Sequence, residues 1–309
     1  MSSTSRPVAV VAGGSRGLGL LIARELIGRG FQVAVAARNE DELSRATDDL
    51  GASAHPYVCD VRERDDVFAL VRSVEADLGP IEVSIHVAGI IQVGPAADAT
   101  LDHFDDAIAT MLKGPIHLAW AVLPEMRRRR KGRIGTVASV GGMVAPPHLL
   151  PYAAAKFGAV GFSDGLAAEL AGSGVTATTV VPGLMRTGSH LQATFFGDAA
   201  HEYAWFARAA SLPLLSMGAE RAAAVIVAAV LAGKPFISTT PLTWLAIRMR
   251  GLAPATTTRL MKLVAGLLPS ATGEPGTTPG SEARDDLDST LVNTLTTLGD
   301  QAARRNNEE

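Results

Sequence analysis

Up to about residue 240 the chain alternates short, nearly unbroken apolar runs with stretches long enough for helices. The apolar runs are Pro7–Ala12, Phe31–Ala37, Ala54–Val58, Ile81–Val87, Arg133–Ala138, Val175–Val181 and Pro235–Ser238. They are rich in Val, Ile and Ala and lack a polar residue at every second position. That pattern predicts strands buried on both faces, as in a parallel sheet. Between them lie helix-length segments such as Gly17–Arg29, Arg64–Leu78, His103–Arg130 and Tyr152–Leu170. Strand, helix, strand repeated in this way implies right-handed crossovers and an α/β doubly wound sheet of about seven strands.

The character changes beyond residue 240. No acidic residue occurs between Arg221 and Gly273, whereas Lys234, Arg248, Arg250, Arg259 and Lys262 are basic. Two apolar-basic runs, Leu242–Arg250 and Arg259–Leu268, predict an amphipathic helical extension over 241–270. Such an extension packs over neighbouring elements or a partner subunit, or lies on a membrane surface. From Glu274 the charge reverses, and Gly, Pro, Thr and Ser dominate 271–284, so 271–309 reads as a linker and acidic tail. Residues 1–240 are thus expected to form one catalytic unit. The net charge of −3 gives no global pull toward nucleic acid. The lone Cys59 excludes an intramolecular disulfide and fits a reducing compartment. No signal peptide or membrane span is legible, so a cytoplasmic protein is expected.

The first strand leads into Gly13-Gly14-Ser15-Arg16-Gly17-Leu18-Gly19 and then a helix. Glycines let the backbone turn sharply and approach a phosphate, and a helix N-terminus supplies free N–H groups and positive dipole. Strand, glycine turn and helix at this position predict a Rossmann-type dinucleotide site. The second strand ends Ala36-Ala37-Arg38-Asn39 with no acid to hold a ribose 2′-hydroxyl. Arg38 and Arg16 instead suit a 2′-phosphate, so NADP(H) is the expected cofactor.

Tyr152 and Lys156 stand at i and i+4 on one helix face. A free phenol has a pKa of about 10. A nearby ammonium favours phenolate and draws that value toward neutrality. Ser139 follows the strand Arg133–Ala138, at the carboxyl edge where α/β sheets bind ligands. Together with Gly13-x-x-x-Gly17-x-Gly19, Asp60-Val61, Ala88-Gly89 and Pro182-Gly183-x-x-x-Thr187, this set resembles the short-chain dehydrogenase/reductase family over roughly residues 7–240. The resemblance implies carbonyl reduction, with Tyr152 as general acid, Ser139 on the carbonyl oxygen and Lys156 on the nicotinamide ribose. It further implies that Asp60 and Val61 meet the adenine, that Ala88 and Gly89 border the cofactor by backbone, and that Thr187 holds the carboxamide. A small-molecule substrate and a homodimer or homotetramer are expected with it.

Three stretches, four residues in all, depart from that family pattern. Ala12 replaces a threonine, His86-Val87 replaces a pair of asparagines, and Met111 replaces the helix asparagine that in relatives helps hold a water near the lysine. A thioether cannot hold that water. These departures keep two rivals open: a cofactor-binding regulator with poor turnover, and an imine reductase or isomerase on the same scaffold. Residues 184–217 correspond to the family's substrate lid. They carry Leu191, Phe195, Phe196, Tyr203, Trp205, Phe206, Leu212, Leu214, Leu215 and Met217, which predicts either a small core or an apolar substrate pocket. His148 and His86 read as structural histidines, Arg127–Lys131 as a solvated helix terminus, and no metal site is expected.

Overall fold

The computed structural model describes residues 6–211, 216–287 and 289–308. Seven parallel strands form the central sheet: β1 (Val8–Ala12), β2 (Gln32–Ala37), β3 (Ala54–Val58), β4 (Ile81–His86), β6 (Gly132–Val137), β7 (Val175–Val181) and β11 (Phe236–Ser238). A short β5 (Gln92–Val93) lies apart from them. The spatial order is β11-β7-β6-β4-β1-β2-β3, so the chain builds outward from β1 in one direction and then reverses. The switch between β1 and β4 opens a crevice at the carboxyl ends of the strands, where such sheets bind ligands.

Why the runs lack alternation is visible in the two cores. Ala9 and Val11 face one layer, with α1 (Gly17–Gly28) and α9 (Ala219–Leu231). Val8, Val10 and Ala12 face the other, with α3 (Arg64–Asp77), α5 (Gly114–Arg129) and α6 (Leu150–Glu169). Every residue of β1 is buried because both of its faces are covered. The polar helix α2 (Glu40–Leu50), which no apolar run announces, is started by Asn39 accepting from the Glu42 N–H at 3.0 Å.

The segment expected as one helix over His103–Arg130 is divided. A helix α4 (Leu101–Ile108) passes through a π-helical turn, Ala109–Lys113, before α5 begins at Gly114. Such turns insert one residue and recur at functional sites. Gly114 is required there: a β-carbon would lie 2.6 Å from His86 Nε2.

Over the crevice, β8 (Leu184–Arg186) and β10 (Ser216–Gly218) pair in parallel and bracket α7 (Ser189–Gln192), β9 (Thr194–Phe196) and α8 (Ala199–Ser211). Two helices, α10 (Pro241–Leu252) and α11 (Pro254–Ala265), form the expected extension. The expectation of a linker and tail over 271–309 needs correction. That segment carries β12 (Thr277–Pro279), antiparallel to β9, then α12 (Gly280–Leu287) and α13 (Thr290–Arg305). Asp98 accepts from Thr272 N (3.0 Å) and Gly273 N (2.9 Å) and so pins the start of the segment. Ala283, Ala302 and Ala303 are buried, and Asp300 bonds both His190 and Arg284 at 3.0 Å. Small side chains, the His190–Asp300 hydrogen bond and the Arg284–Asp300 ion pair hold a segment whose composition suggested a loose end. Among the described residues, no helix is long and apolar enough to cross a membrane.

Candidate active site

One cavity of about 740 Å³ runs along the carboxyl ends of the strands. Its walls include Gly13, Ser15, Arg16, Gly17, Leu18, Gly19, Arg38, Asp60, Val61, Ala88, Gly89, Ser139, Tyr152, Lys156, Pro182, Gly183 and Thr187. The fold therefore gathers every residue named from the sequence as catalytic or cofactor-binding.

At the phosphate end, Gly13 and Gly17 take positive φ of 85° and 54° and turn the chain into α1. Arg16, in the N-cap position, offers no side-chain cap, so the first N–H groups of the helix need other acceptors. The chain terminus supplies one: Gly17 N donates to the Asn306 carbonyl at 2.8 Å. Asn307 donates through Nδ2 to the carbonyls of Ser15 (2.9 Å) and Glu42 (3.0 Å). Glu308 is buried against Gly17, and its backbone carbonyl accepts from Gln192 Nε2 at 2.9 Å. Burial pushes the Glu308 carboxyl up to about 7, with Arg16 pulling it down and Glu42 pushing it up. Arg16 itself is engaged, with Nη1 at 3.4 Å from Glu42 and 2.5 Å from Gln192 Oε1. Arg38 is exposed on the rim.

At the catalytic end, Ser139 ends the β6 segment and its Oγ accepts from Gly141 N at 3.0 Å, which fixes its direction. Tyr152 stands on the first turn of α6, and its ring and the Ser139 hydroxyl both border Gly141. Lys156 is buried one turn on; its Nζ donates to the Val137 carbonyl at 2.8 Å and lies 5.8 Å from the Tyr152 ring centroid. Burial lowers the Lys156 pKa to about 8. The phenol differs from the expectation of a depressed value. Burial pushes it upward, and the Ser139 hydroxyl is the opposing influence. The reason is geometric: the ammonium is directed at a backbone carbonyl, and its own charged form is disfavoured.

Met111 sits in the π-helical turn, buried among Ala107, Ala155 and Tyr152. A β-carbon on Gly89 would lie 3.5 Å from Met111 Sδ and 3.8 Å from Lys156 Nζ, so the thioether fills the ground beside the lysine. His86 is wholly buried; burial first, then Lys156 and His117 nearby, lower its pKa to about 3. Its Nε2 has no hydrogen-bond partner among the described residues. Cys59 is a buried thiol pushed up to about 12, chiefly by burial.

The lid divides its aromatic residues. Phe195, Phe196 and Tyr203 are buried, with Phe195 edge-on to Tyr203 and Phe206. Phe206 and Ala210 also reach the cavity, where Ile90, Ile91 and Leu149 complete an apolar wall. Leu212, Leu214 and Leu215 lie outside the described residues. His148 bonds Glu202 at 2.7 Å, and Trp205 Nε1 donates to the same carboxylate at 2.6 Å, so the loop before Tyr152 is fastened to α8. Sequence reasoning missed Glu42, Gln192 and Glu308. No local pattern marks them, since each reaches the site from a different part of the chain. Ile90 and Ile91 did carry a signal, as an apolar pair directly after Ala88-Gly89.

The model of the short chain dehydrogenase family matches residues 7–194, and the chain belongs to that family. A putative ketoacyl reductase of Streptomyces coelicolor is 37% identical over 192 residues, covering 60% of this chain and 74% of the relative. The 3-oxoacyl-[acyl-carrier-protein] reductase FabG of Salmonella typhimurium is 34% identical over 180 residues, covering 58% and 74%. Among solved structures, a variant of actinorhodin polyketide ketoreductase with NADPH superposes with a TM-score of 0.68 at 30% identity, over 77% of this chain and 97% of that one. A short-chain dehydrogenase from Streptomyces avermitilis gives 0.73 at 25% identity, over 86% and 100%. The protein is an oxidoreductase of keto and hydroxyl groups that uses a nicotinamide cofactor.

Proposed function

We propose that this protein is an NADPH-dependent reductase of hydrophobic ketones, with Tyr152 as the proton donor. The observation that carries the reading is the placement of Ser139, Tyr152 and Lys156 on one cavity with the glycine turn and both arginines at its other end. The glycine faces fit a dinucleotide, because Gly17 at φ 54° carries no side chain of its own, and a phosphate has only the Glu308 side chain to displace there. Bound there, the cofactor supplies the hydride. The chain's own groups do the rest. Ser139 and Tyr152 hydroxyls direct hydrogen bonds at the carbonyl oxygen and polarise it. A phenol whose pKa is raised by burial holds its proton at neutral pH and releases it as the oxygen gains charge. Hydride at carbon and the Tyr152 proton at oxygen together give the alcohol. Lys156, anchored on Val137, positions the nicotinamide ribose and returns a proton to Tyr152.

The preference for NADPH rests on Arg16 and Arg38 and on the lack of an acid at the end of β2. The apolar wall of Ile90, Ile91, Leu149, Phe206 and Ala210 supports an extended aliphatic or aromatic ketone over a small polar one. The intact Ser–Tyr–Lys set argues against a regulator without turnover. The test is NADPH oxidation with a panel of ketones graded by chain length. Activity that rises with hydrophobic length and vanishes in Tyr152→Phe is expected. Turnover of imines alone, or none at all, would overturn the reading.

A further inference from the structure

The helices α10 and α11 turn their apolar residues outward. Leu242, Leu245, Met249 and Leu252 recur at i, i+3, i+7 and i+10, a single stripe, and are 46–86% exposed. Leu260, Leu263 and Leu267 repeat the arrangement on and just beyond α11, at 47–86%. Opposite the first stripe, Thr243 is buried against Gly183, and Ile247 packs beside Val160 and Val181. So α10 is seated on the body through Thr243 and Ile247 and leaves a second apolar stripe outside, more apolar surface than its packing uses. Eight of the fifteen exposed large apolar side chains among the described residues lie on this hairpin, the eighth being Trp244. Contiguous exposed apolar surface of this kind marks an interaction site.

The charges decide what covers it. Arg248 and Arg259 stand beside the stripes, Arg250 and Lys262 are carried on the same two helices, and the chain has no acidic residue from 222 to 273. A second copy docked face to face would set these cations against their own counterparts with no carboxylate from the hairpin to pair them. An anionic lipid surface answers both properties at once, apolar stripe into the acyl boundary and cations at the headgroups. We propose that the Pro241–Leu268 hairpin seats the protein on the surface of an anionic bilayer. Because α10 also packs on Gly183 and on the Val140–Gly142 turn after Ser139, the lipid surface lies about one helix diameter from the cavity's edge. The protein would then draw a lipid-dissolved substrate from the phase it rests on.

The test is sedimentation of the full chain with vesicles of phosphatidylcholine alone and of phosphatidylcholine mixed with phosphatidylglycerol, which needs no turnover. Binding to the mixed vesicles, weakened by added salt, is expected. The double substitution Leu245→Glu, Leu263→Glu should weaken it by on the order of ten-fold or more, with an unchanged melting curve. An Arg248→Glu, Arg259→Glu variant should lose the preference for phosphatidylglycerol. Failure to bind mixed vesicles would overturn the proposal, as would unchanged binding by the leucine variant. So would a concentration-dependent dimer, broken by the same leucine substitutions, in a protein that ignores both vesicles.

Discussion

The Glu308 carboxylate rests against Gly17 on the face where a β-carbon would stand, with Asn306 accepting from the Gly17 N–H at 2.8 Å. The second glycine of such a turn is the one that lets a pyrophosphate approach. On the proposed cofactor site, residues 306–308 and the cofactor would compete for one backbone donor and one helix N-terminus. Removing residues 306–309 is expected to lower the apparent Kd for NADPH several-fold, because no internal competitor then has to be displaced. Glu308→Gln should act in the same direction with a smaller effect. Fluorescence titration of NADPH measures both, and weaker binding by the truncated chain would show that the terminus supports the site instead.

Lys156 ties cofactor affinity to pH. Burial places its pKa at about 8, so it is cationic below that value and neutral above it. NADPH affinity should fall as pH rises through about 8, and Lys156→Met should bind weakly with no such step. Isothermal titration at graded pH, in buffers of different ionisation enthalpy, would also reveal the coupled proton.

On the proposed mechanism, Tyr152→Phe would remove only the donated proton. A fall of about 10²- to 10⁴-fold in kcat is expected, with the NADPH Kd unchanged within about two-fold. Substantial residual turnover would assign the acid role to another group.

Under the proposed NADPH preference, cofactor choice would depend on two arginines in unequal situations. Arg38 is exposed on the rim, whereas Arg16 is shared with Glu42 at 3.4 Å. Arg38→Asp should shift the NADPH-to-NADH affinity ratio by about ten-fold or more toward NADH. Glu42→Gln should shift it the other way by freeing Arg16. Equal wild-type affinity for the two cofactors would defeat this account.

Met111 is a buried packing residue beside Tyr152 and Gly89. Met111→Asn puts an amide among apolar neighbours, and a loss of about 1–3 kcal/mol in stability is expected, read by denaturant melts. KM for a hydrophobic ketone should rise with kcat unchanged. A higher kcat with a smaller solvent isotope effect would instead show that proton supply limits the native enzyme.

The seven strands, the glycine turn and the Ser139–Tyr152–Lys156 set were legible in the chain because each is written in neighbouring residues. Unbroken apolar runs require burial on both faces, glycines permit positive φ, and i, i+4 spacing sets two side chains on one helix face. Local patterning could not reveal the π-helical turn at Ala109–Lys113, since its extra residue is accommodated by packing of Met111 and Gly114 against distant segments. Nor could it show that the acidic segment beyond Glu274 packs on the lid and brings Glu308 to the wall of the cavity. That outcome depends on Asp300 meeting His190 and on Ala303 fitting against Gly188, contacts between residues more than a hundred positions apart. The outward stripe of α10 belongs to the same class. Sequence put apolar residues on two sides of the helix, and only the seating of Thr243 on Gly183 and of Ile247 on Val160 and Val181 decided which side faces solvent, because the close approach at Gly183 admits a side chain no larger than threonine at that point.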